Sequence, residues 1–203
     1  NKKKINVYDI GAGNRILNEL INFDGIGNVY LIDPNKNLQY SYNKLYSIFQ
    51  DKESIFKISS ALSNKTEKIN YYEAHVSTSS SFAIDQKKAI KFSSQYKKKP
   101  LKLRVYSFSD FIKKYKTPKP DILKIDAEGF EYKILKSTLK TCKPLLVQVE
   151  TNVNNPFLNQ TFFEVYELMK RNNYKMYTIL PYYGYYDYNS NKFINTTNDV
   201  NYK

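Results

Sequence analysis

Two runs of β-branched and aromatic residues, with helical spacing between them, most constrain the fold of this chain. Ile5 to Ile10 is the first run and ends in Gly11-Ala12-Gly13, and Asn28 to Ile32 is the second. Residues 14–22 have apolar side chains at positions 16, 17, 20 and 21, which is the spacing of one helix face. A strand, a helix and a second strand in this order predict a βαβ unit and therefore a parallel sheet.

The rest of the chain continues this alternation. Further strands are predicted at 55–62, 68–73, 101–106, 121–125, 145–149, 174–180 and 192–194, and further helices at 38–49, 110–115, 130–139 and 162–171. This order predicts a doubly wound, Rossmann-like α/β fold, with a mostly parallel sheet and helices on both faces. We expect one domain over residues 1–203.

Three local predictions accompany this fold. The runs 55–62 and 68–73 flank the turn-forming residues SNKTE and predict a hairpin. Ser109 is the expected cap of the helix that starts at Asp110. Residues 74–100 are polar and aperiodic, which predicts a long loop or lid of functional importance.

Composition limits the class of protein. Hydrophobic residues make up 41% of the chain and charged residues 25%, which is typical of a soluble globular protein. No apolar run is long enough for a membrane span, and no signal peptide is recognisable. The single cysteine, Cys142, is expected to be a packing residue, and its isolation suits a reducing compartment. We therefore expect a cytoplasmic protein.

The net charge of +13 leaves two interpretations open. An excess of lysine is typical of proteins with an anionic partner such as nucleic acid or an acidic glycan. It also follows from a composition rich in Lys, Asn, Ile and Tyr. The chain has only three arginines, the residues that usually make bidentate contacts to nucleic acid: Arg15, Arg104 and Arg171.

The first glycine turn predicts a nucleotide-type cofactor. Asp9 lies at the end of the first strand, Gly11 and Gly13 allow a tight turn, and Asp33 ends the next strand. A dinucleotide fingerprint would have a third glycine where this chain has Ile16. S-adenosylmethionine fits better, because a carboxylate such as Asp9 favours its cationic groups.

The stretch Lys124 to Glu131, KIDAEGFE, places charges at the end of a buried strand. Charged residues are rarely buried unless they are paired. We therefore expect Lys124 to contact a carboxylate or backbone carbonyls, with Asp9, Asp126 and Glu150 as the candidate acids.

With these motifs in place, the chain resembles the FkbM-type methyltransferases, a branch of the class I S-adenosylmethionine-dependent methyltransferases. The matching segments, in the order of the family, are VYDIGAG at 7–13, LIDPN at 31–35, SSALSNKTEKINYY at 59–72, TSSSF at 78–82, VYSFSDF at 105–111, PDILKIDAEGFEYKIL at 120–135 and LLVQVETN at 145–152. The Lys-Ile-Asp-x-Glu-Gly core is the most specific of them.

The resemblance implies methyl transfer to a hydroxyl of a sugar, glycan or other small molecule. It places Asp9, Gly11 and Gly13 around the methionine part of the cofactor, Asp33 on the ribose, Ala61 and Leu62 near the adenine, and Asp126 beside the reacting end. Together with the rule that ligands bind beyond the carboxyl ends of parallel strands, the predicted cofactor-binding residues are Asp9, Gly11, Ala12, Gly13, Asp33, Pro34, Asn35, Ala61, Leu62 and Asp126.

One departure from the family concerns the substrate side. Only four residues precede Ile5, where the family usually has a further segment that helps to form the substrate side. The substrate pocket is therefore expected to be incomplete, to be built from the 74–100 loop, or to be completed by a partner chain.

A hydroxyl acceptor needs a general base or a metal ion that lowers its pKa. The candidate catalytic residues are Asp126, Glu128, Glu150 and His75, the only histidine. The three carboxylates, with Asn152 nearby, suit Mg²⁺ as well as a metal-free base mechanism. A third interpretation is that Glu128 only caps the following helix.

Three other functions remain open. A nucleic-acid (RNA) methyltransferase agrees with the charge, although the fourth strand lacks the Asn/Asp-Pro-Pro-aromatic motif expected for methylation of an amino group. A non-catalytic partner subunit and an NAD-dependent enzyme are the other two.

Overall fold

The computed structural model describes residues 4–13, 25–35, 54–74, 87, 91, 99–151, 162–175, 185–187 and 192–194. The strands in these ranges are β1 Ile5–Ile10, β2 Ile26–Asp33, β3 Ile55–Ser59, β4 Ala61–Ser63, β5 Glu67–Tyr71, β6 Leu101–Ser107, β7 Ile122–Ile125, β8 Leu146–Val149, β9 Tyr185–Asp187 and β10 Lys192–Ile194. The helices are α1 Phe108–Tyr115, α2 Glu131–Thr141 and α3 Phe162–Arg171.

The main sheet has five strands in the order β3-β2-β1-β7-β8, and every neighbouring pair is parallel. The predicted α/β fold is confirmed. The central strand β1 is buried from Val7 to Ile10, as expected for a parallel strand covered on both faces. The chain extends from β1 to β2 on one side and returns to β7 on the other, so the strand order reverses at β1. In such sheets the crevice at the carboxyl ends of the strands flanking this point is where ligands bind.

A second sheet shows that the predicted hairpin is wrong. Its strand order is β4-β6-β5, so that β6 lies between the two strands that were expected to pair. The run 55–62 is interrupted at Ser60, whose N–H donates to the carbonyl of Asp33 at 3.1 Å. Residues before Ser60 pair with β2 in the main sheet, and residues after it pair with β6. A turn does lie between β4 and β5, as predicted. Both strands, however, form their backbone hydrogen bonds with β6, which begins more than thirty residues after the turn.

The start of α1 differs from the prediction by two residues. Ser107, not Ser109, caps the helix, and its Oγ accepts the N–H of Asp110 at 3.2 Å. Phe108 and Phe111 are both completely buried, so the apolar face of the helix begins one position before the predicted cap. The cap at Ser107 and the burial of Phe108 therefore both agree with a helix that begins at Phe108.

The other elements for which a prediction was made lie within two residues of it, as β7, α2, β8 and α3 show, whereas β9 was not predicted. The predicted helices at 14–22 and 38–49, most of the strand at 174–180 and nearly all of the 74–100 loop lie outside the described residues.

The chain divides into two compact units, Asn1–Leu168 and Met169–Lys203, and the division falls within α3. A single functional domain stays a prediction. Among the residues the structure describes, no helix is long and apolar enough to cross a membrane.

Candidate active site

The glycine turn after β1 is fixed by hydrogen bonds to the end of β2. The N–H groups of Gly11 and Ala12 donate to the carbonyl of Ile32, at 2.8 and 3.3 Å. Ala12 points into the core with Val7 and Leu31, so only its backbone can face a ligand. Gly11 and Gly13 have φ values of +75° and +48°, in the left-handed region that favours glycine.

Gly11 also brings the glycine turn into contact with the end of β7. A Cβ atom on Gly11 would lie 1.6 Å from the carbonyl oxygen of Asp126. The N–H of Asp126 donates to the carbonyl of Ile10 at 2.9 Å, which holds the two segments together from the other side. The cofactor turn and the acidic segment were predicted separately, and in the structure they touch through their backbones.

Asp33 joins the two predicted cofactor segments. Its Oδ2 accepts the N–H of Gly13 at 3.1 Å, and its Oδ1 accepts the N–H of Asn35 at 2.8 Å. A carboxylate offers about four acceptor sites, so two remain for ribose hydroxyls. Burial raises the pKa of Asp33, which the two N–H groups oppose. Pro34 contributes a carbonyl to the Ser59 hydroxyl at 3.5 Å.

Ser60, between β3 and β4, places a buried hydroxyl next to Asp33. Ala61 and Leu62 are buried in β4, and their predicted position near the adenine stays a prediction. Ser60, 7% exposed, precedes them, and its Oγ has no hydrogen-bond partner within the described part of the chain. Because a buried polar group usually has a partner, Ser60 fits a role as donor or acceptor to a bound ligand. The sequence did not identify this residue, since a serine within a predicted strand gives no distinctive signal.

Lys124 is paired as expected. It lies beside Asp9 in the β1–β7 register, and its Nζ donates to Asp9 Oδ1 at 2.9 Å. A second carboxylate, Asp126 Oδ2, lies 3.6 Å from the same nitrogen. Two of the three candidate acids, Asp9 and Asp126, are therefore confirmed as partners of the lysine. Asp9 is only 2% exposed, and a direct contact between Asp9 and the cofactor stays a prediction.

The electrostatics of this buried group favour a charged lysine. Burial alone would lower the pKa of Lys124, but Asp9 and Asp126 together raise it above its ordinary value. Burial raises the pKa of Asp9, and Lys124 opposes that effect. Lys124 thus supplies a fixed positive charge between the two acids.

Asp126, Glu128 and Glu150 lie together at the carboxyl ends of the neighbouring strands β7 and β8, as predicted. A hydrogen bond with Asp126 is the largest cause that raises the pKa of Glu150 to about 9. Glu150 is exposed, so the hydrogen bond with Asp126 contributes more to this shift than burial does. The raised pKa of Glu150 favours its protonated form as the partner of the Asp126 carboxyl group. Burial, with the charges of Asp126 and Glu131, raises the pKa of Glu128 to about 8.

Glu131 accepts hydrogen bonds from the backbone of the turn before α2. Its Oε1 accepts the N–H groups of Ala127 and Gly129 at 2.8 and 3.0 Å, and its Oε2 also lies 3.0 Å from the N–H of Gly129. The interpretation of Glu128 as a capping residue stays a prediction. An acid directly after Gly-Phe, at the start of a helix, was the available signal for Glu131.

The acids at this edge do not match a metal centre. Within the described ranges, no group of three or more His, Cys, Asp or Glu side chains is arranged to hold a metal ion. Asp126 is already in contact with the ammonium of Lys124 and hydrogen-bonded to Glu150. The predicted Mg²⁺ site on Asp126, Glu128 and Glu150 thus finds no support in the donor set. His75 and Asn152 lie outside the described residues, and a catalytic role for His75 stays a prediction.

Comparison with known proteins identifies a family for this chain. A family model described as the methyltransferase FkbM domain matches residues 9–176. This range contains every predicted cofactor and catalytic residue, and the match confirms the resemblance drawn from the motifs. No curated protein matches the chain.

One solved structure is similar to the chain. It is the methyltransferase FkbM from Methylobacillus flagellatus KT, with 15% sequence identity and a TM-score of 0.41. The similarity covers 68% of this chain and 29% of that protein, so the chain spans less than a third of the length of the solved relative.

Proposed function

Because the chain belongs to the methyltransferase FkbM domain family, we propose that it is an S-adenosylmethionine-dependent O-methyltransferase that acts on a hydroxyl of a sugar, glycan or other small molecule. The observation that supports this most directly is the contact between Gly11 and the backbone of Asp126. It joins a cofactor-type glycine turn to a group of carboxyl side chains at the switch point of the sheet.

The residues at the ends of β1 and β2 suit the cofactor. Asp33 keeps acceptor capacity for two hydroxyls, and Ser60 provides a buried hydroxyl beside it. When bound, S-adenosylmethionine supplies an activated methyl group on a sulfonium. Acids near that position favour a cation, because opposite charges attract strongly where water is excluded.

Glu128 is the proposed general base. Methyl transfer to a hydroxyl requires that the acceptor oxygen loses its proton, and a base works best when its pKa lies near the working pH. The pKa of Glu128 is raised to about 8. The carboxyl group of Asp126 already contacts the ammonium of Lys124 and is hydrogen-bonded to Glu150. Asp126 therefore orients the site, and Glu128 accepts the proton of the acceptor.

The pH dependence of the reaction tests this assignment. The base form of Glu128 increases as the pH rises through about 8. We therefore expect kcat/KM for S-adenosylmethionine to rise from about pH 7 to about pH 9, since this parameter reports groups of the free enzyme. Glu128→Gln should lose about 100-fold in rate and also lose this rise. A variant that keeps the wild-type pH profile would remove Glu128 from the role of base.

The positive charge of Lys124 beside Asp126 predicts a reaction that does not depend on a metal ion. We expect the same methyl-transfer rate in EDTA and after addition of Mg²⁺. Loss of activity in EDTA that Mg²⁺ restores would instead support the magnesium mechanism, in which the ion lowers the pKa of the acceptor.

The proposed function itself is tested with S-adenosylmethionine labelled in its methyl group. The purified chain is incubated with free sugars, sugar nucleotides and glycans, and the products are analysed by mass spectrometry. A stoichiometric methyl ether on a hydroxyl supports the proposal. Calorimetric binding of NAD, with none of S-adenosylmethionine, would contradict it. Cofactor binding with no turnover on any acceptor would favour a non-catalytic subunit or one completed by a partner chain.

A cationic face on the second sheet supports RNA as the second candidate substrate. Lys68 and Arg104 are exposed and directly opposite each other in β5 and β6, with exposed Lys102 close by. Like charges in this position destabilise a sheet, and a polyanion would offset that cost. The acids around Asp126 would repel phosphates, so we rank this candidate second. Tight RNA binding at about 0.15 M salt would favour it.

A further inference from the structure

The turn between β7 and α2 is strained. Glu128 has a φ of +47° and Gly129 a φ of +102°. Glu128 is not a glycine, and a left-handed conformation costs such a residue about 1 kcal/mol or more. Strain of this kind persists only where the surrounding structure holds the backbone in place.

Glu131 is the side chain that holds this backbone. It is only 3% exposed, and its two oxygens accept the N–H groups of Ala127 and Gly129 on either side of Glu128. A buried carboxyl group needs such bonds to compensate for lost hydration. The side chain and the strained turn therefore stabilise each other.

The helix that bears Glu131 is firmly packed. Ile134, Leu135 and Thr138 of α2 are at most 1% exposed. The N-cap residue, Phe130, makes no side-chain cap hydrogen bond. Glu131, in the first turn of the helix, instead accepts N–H groups of the turn that precedes the helix. Glu131 thus connects the turn to the core of the fold.

We propose that Glu131 is a positioning residue, which fixes the turn so that Asp126 and Glu128 keep the arrangement needed for catalysis. The proposal rests on the methyltransferase function proposed above. Glu131 acts through the backbone of Ala127 and Gly129 and does not itself contact the reacting atoms.

Two substitutions and one matched control test this role. Glu131→Ala removes both acceptor oxygens, and Glu131→Gln keeps one. Ser137→Ala is the control, because Ser137 lies on the same helix and its Oγ accepts a backbone N–H from Phe108 at 2.8 Å. The control removes a buried bond to α1 and leaves the turn intact.

Amide hydrogen exchange gives a direct readout that needs no acceptor. In Glu131→Ala, we expect the amides of Ala127 and Gly129 to exchange at least about tenfold faster, because hydrogen bonds to charged acceptors are the stronger ones. Glu131→Gln should lie between this variant and the wild type. In Ser137→Ala those two amides should be unchanged, while that of Phe108 exchanges faster. Equal exchange at Ala127 and Gly129 in all three variants would overturn the proposal.

Kinetics separate positioning from a general loss of stability. Glu131→Ala should lower kcat by about 100-fold, the effect of a misplacement of about 1 Å, while Ser137→Ala stays within about twofold of the wild type. In a Glu128→Gln background, Glu131→Ala should cost much less, because the two residues act on one step. An undiminished cost in that background would contradict the proposal.

If the wild-type chain transfers no methyl group, the proposed function fails, and amide exchange still decides whether Glu131 holds the turn.

Discussion

Gly11→Ala is expected to lower the free energy of unfolding by more than about 4 kcal/mol, or to prevent folding altogether. The added Cβ would lie 1.6 Å from the carbonyl oxygen of Asp126 and 2.6 Å from its carbonyl carbon. These are backbone atoms, and a rotamer change cannot move them away. The φ of +75° adds a conformational penalty to the clash.

Gly13→Ala is the matched control for that substitution. Gly13 also has a positive φ, of +48°, but among the described residues a Cβ there would meet only the carbonyl oxygen of Gly11, at 3.8 Å. We expect a loss of about 1–2 kcal/mol, from conformation alone. Urea unfolding of both variants, followed by circular dichroism, gives the comparison. Equal losses would mean that the contact between the glycine turn and β7 is not tight.

The alternation of apolar runs predicted the main sheet because parallel strands buried on both faces produce continuous hydrophobic segments. The run Ile5–Ile10 is an example, since all of its last four residues are buried. The pairing of β4 and β5 could not be predicted in the same way. Both strands bond to β6, and nothing in a local pattern reports a partner thirty or more residues away.

For the candidate site, the sequence identified acids but not their separate roles. The period of two residues in a strand placed Lys124 and Asp126 on one face, and this predicted their contact. The difference between Glu128 and Glu131 depends on the backbone of the turn, where a positive φ at Glu128 directs the two side chains differently. That conformation depends on tertiary contacts, so the sequence did not predict which acid holds the turn.

Lys124→Met is expected to lower the free energy of unfolding at neutral pH by about 3–5 kcal/mol, the usual cost of leaving one partner of a buried ion pair alone. Methionine has a similar length, so the loss reflects charge more than volume. Asp9, whose side chain is 3% exposed, would lose the ammonium at 2.9 Å. Chemical denaturation at several pH values measures the effect.

The pH dependence of this loss follows from the sign of the shift. Burial raises the pKa of Asp9 in the folded state, and removal of Lys124 takes away the charge that opposes it. A carboxyl group with a folded pKa above its unfolded value loses stability as the pH rises between the two values. The deficit of Lys124→Met should therefore be smaller at about pH 5 than at about pH 8.

Two controls show whether the uncompensated charge is the cause. Asp9→Asn combined with Lys124→Met removes both charges, and replacement of both partners of a buried pair is often nearly neutral, so most of the stability should return. Lys65→Met breaks the exposed pair with Glu67, whose atoms are 3.1 Å apart, and should cost less than about 1 kcal/mol. If the double variant were as unstable as Lys124→Met alone, the lysine would stabilise the fold by packing. If Lys124→Met cost no more than Lys65→Met, the pair would contribute no more than a surface contact.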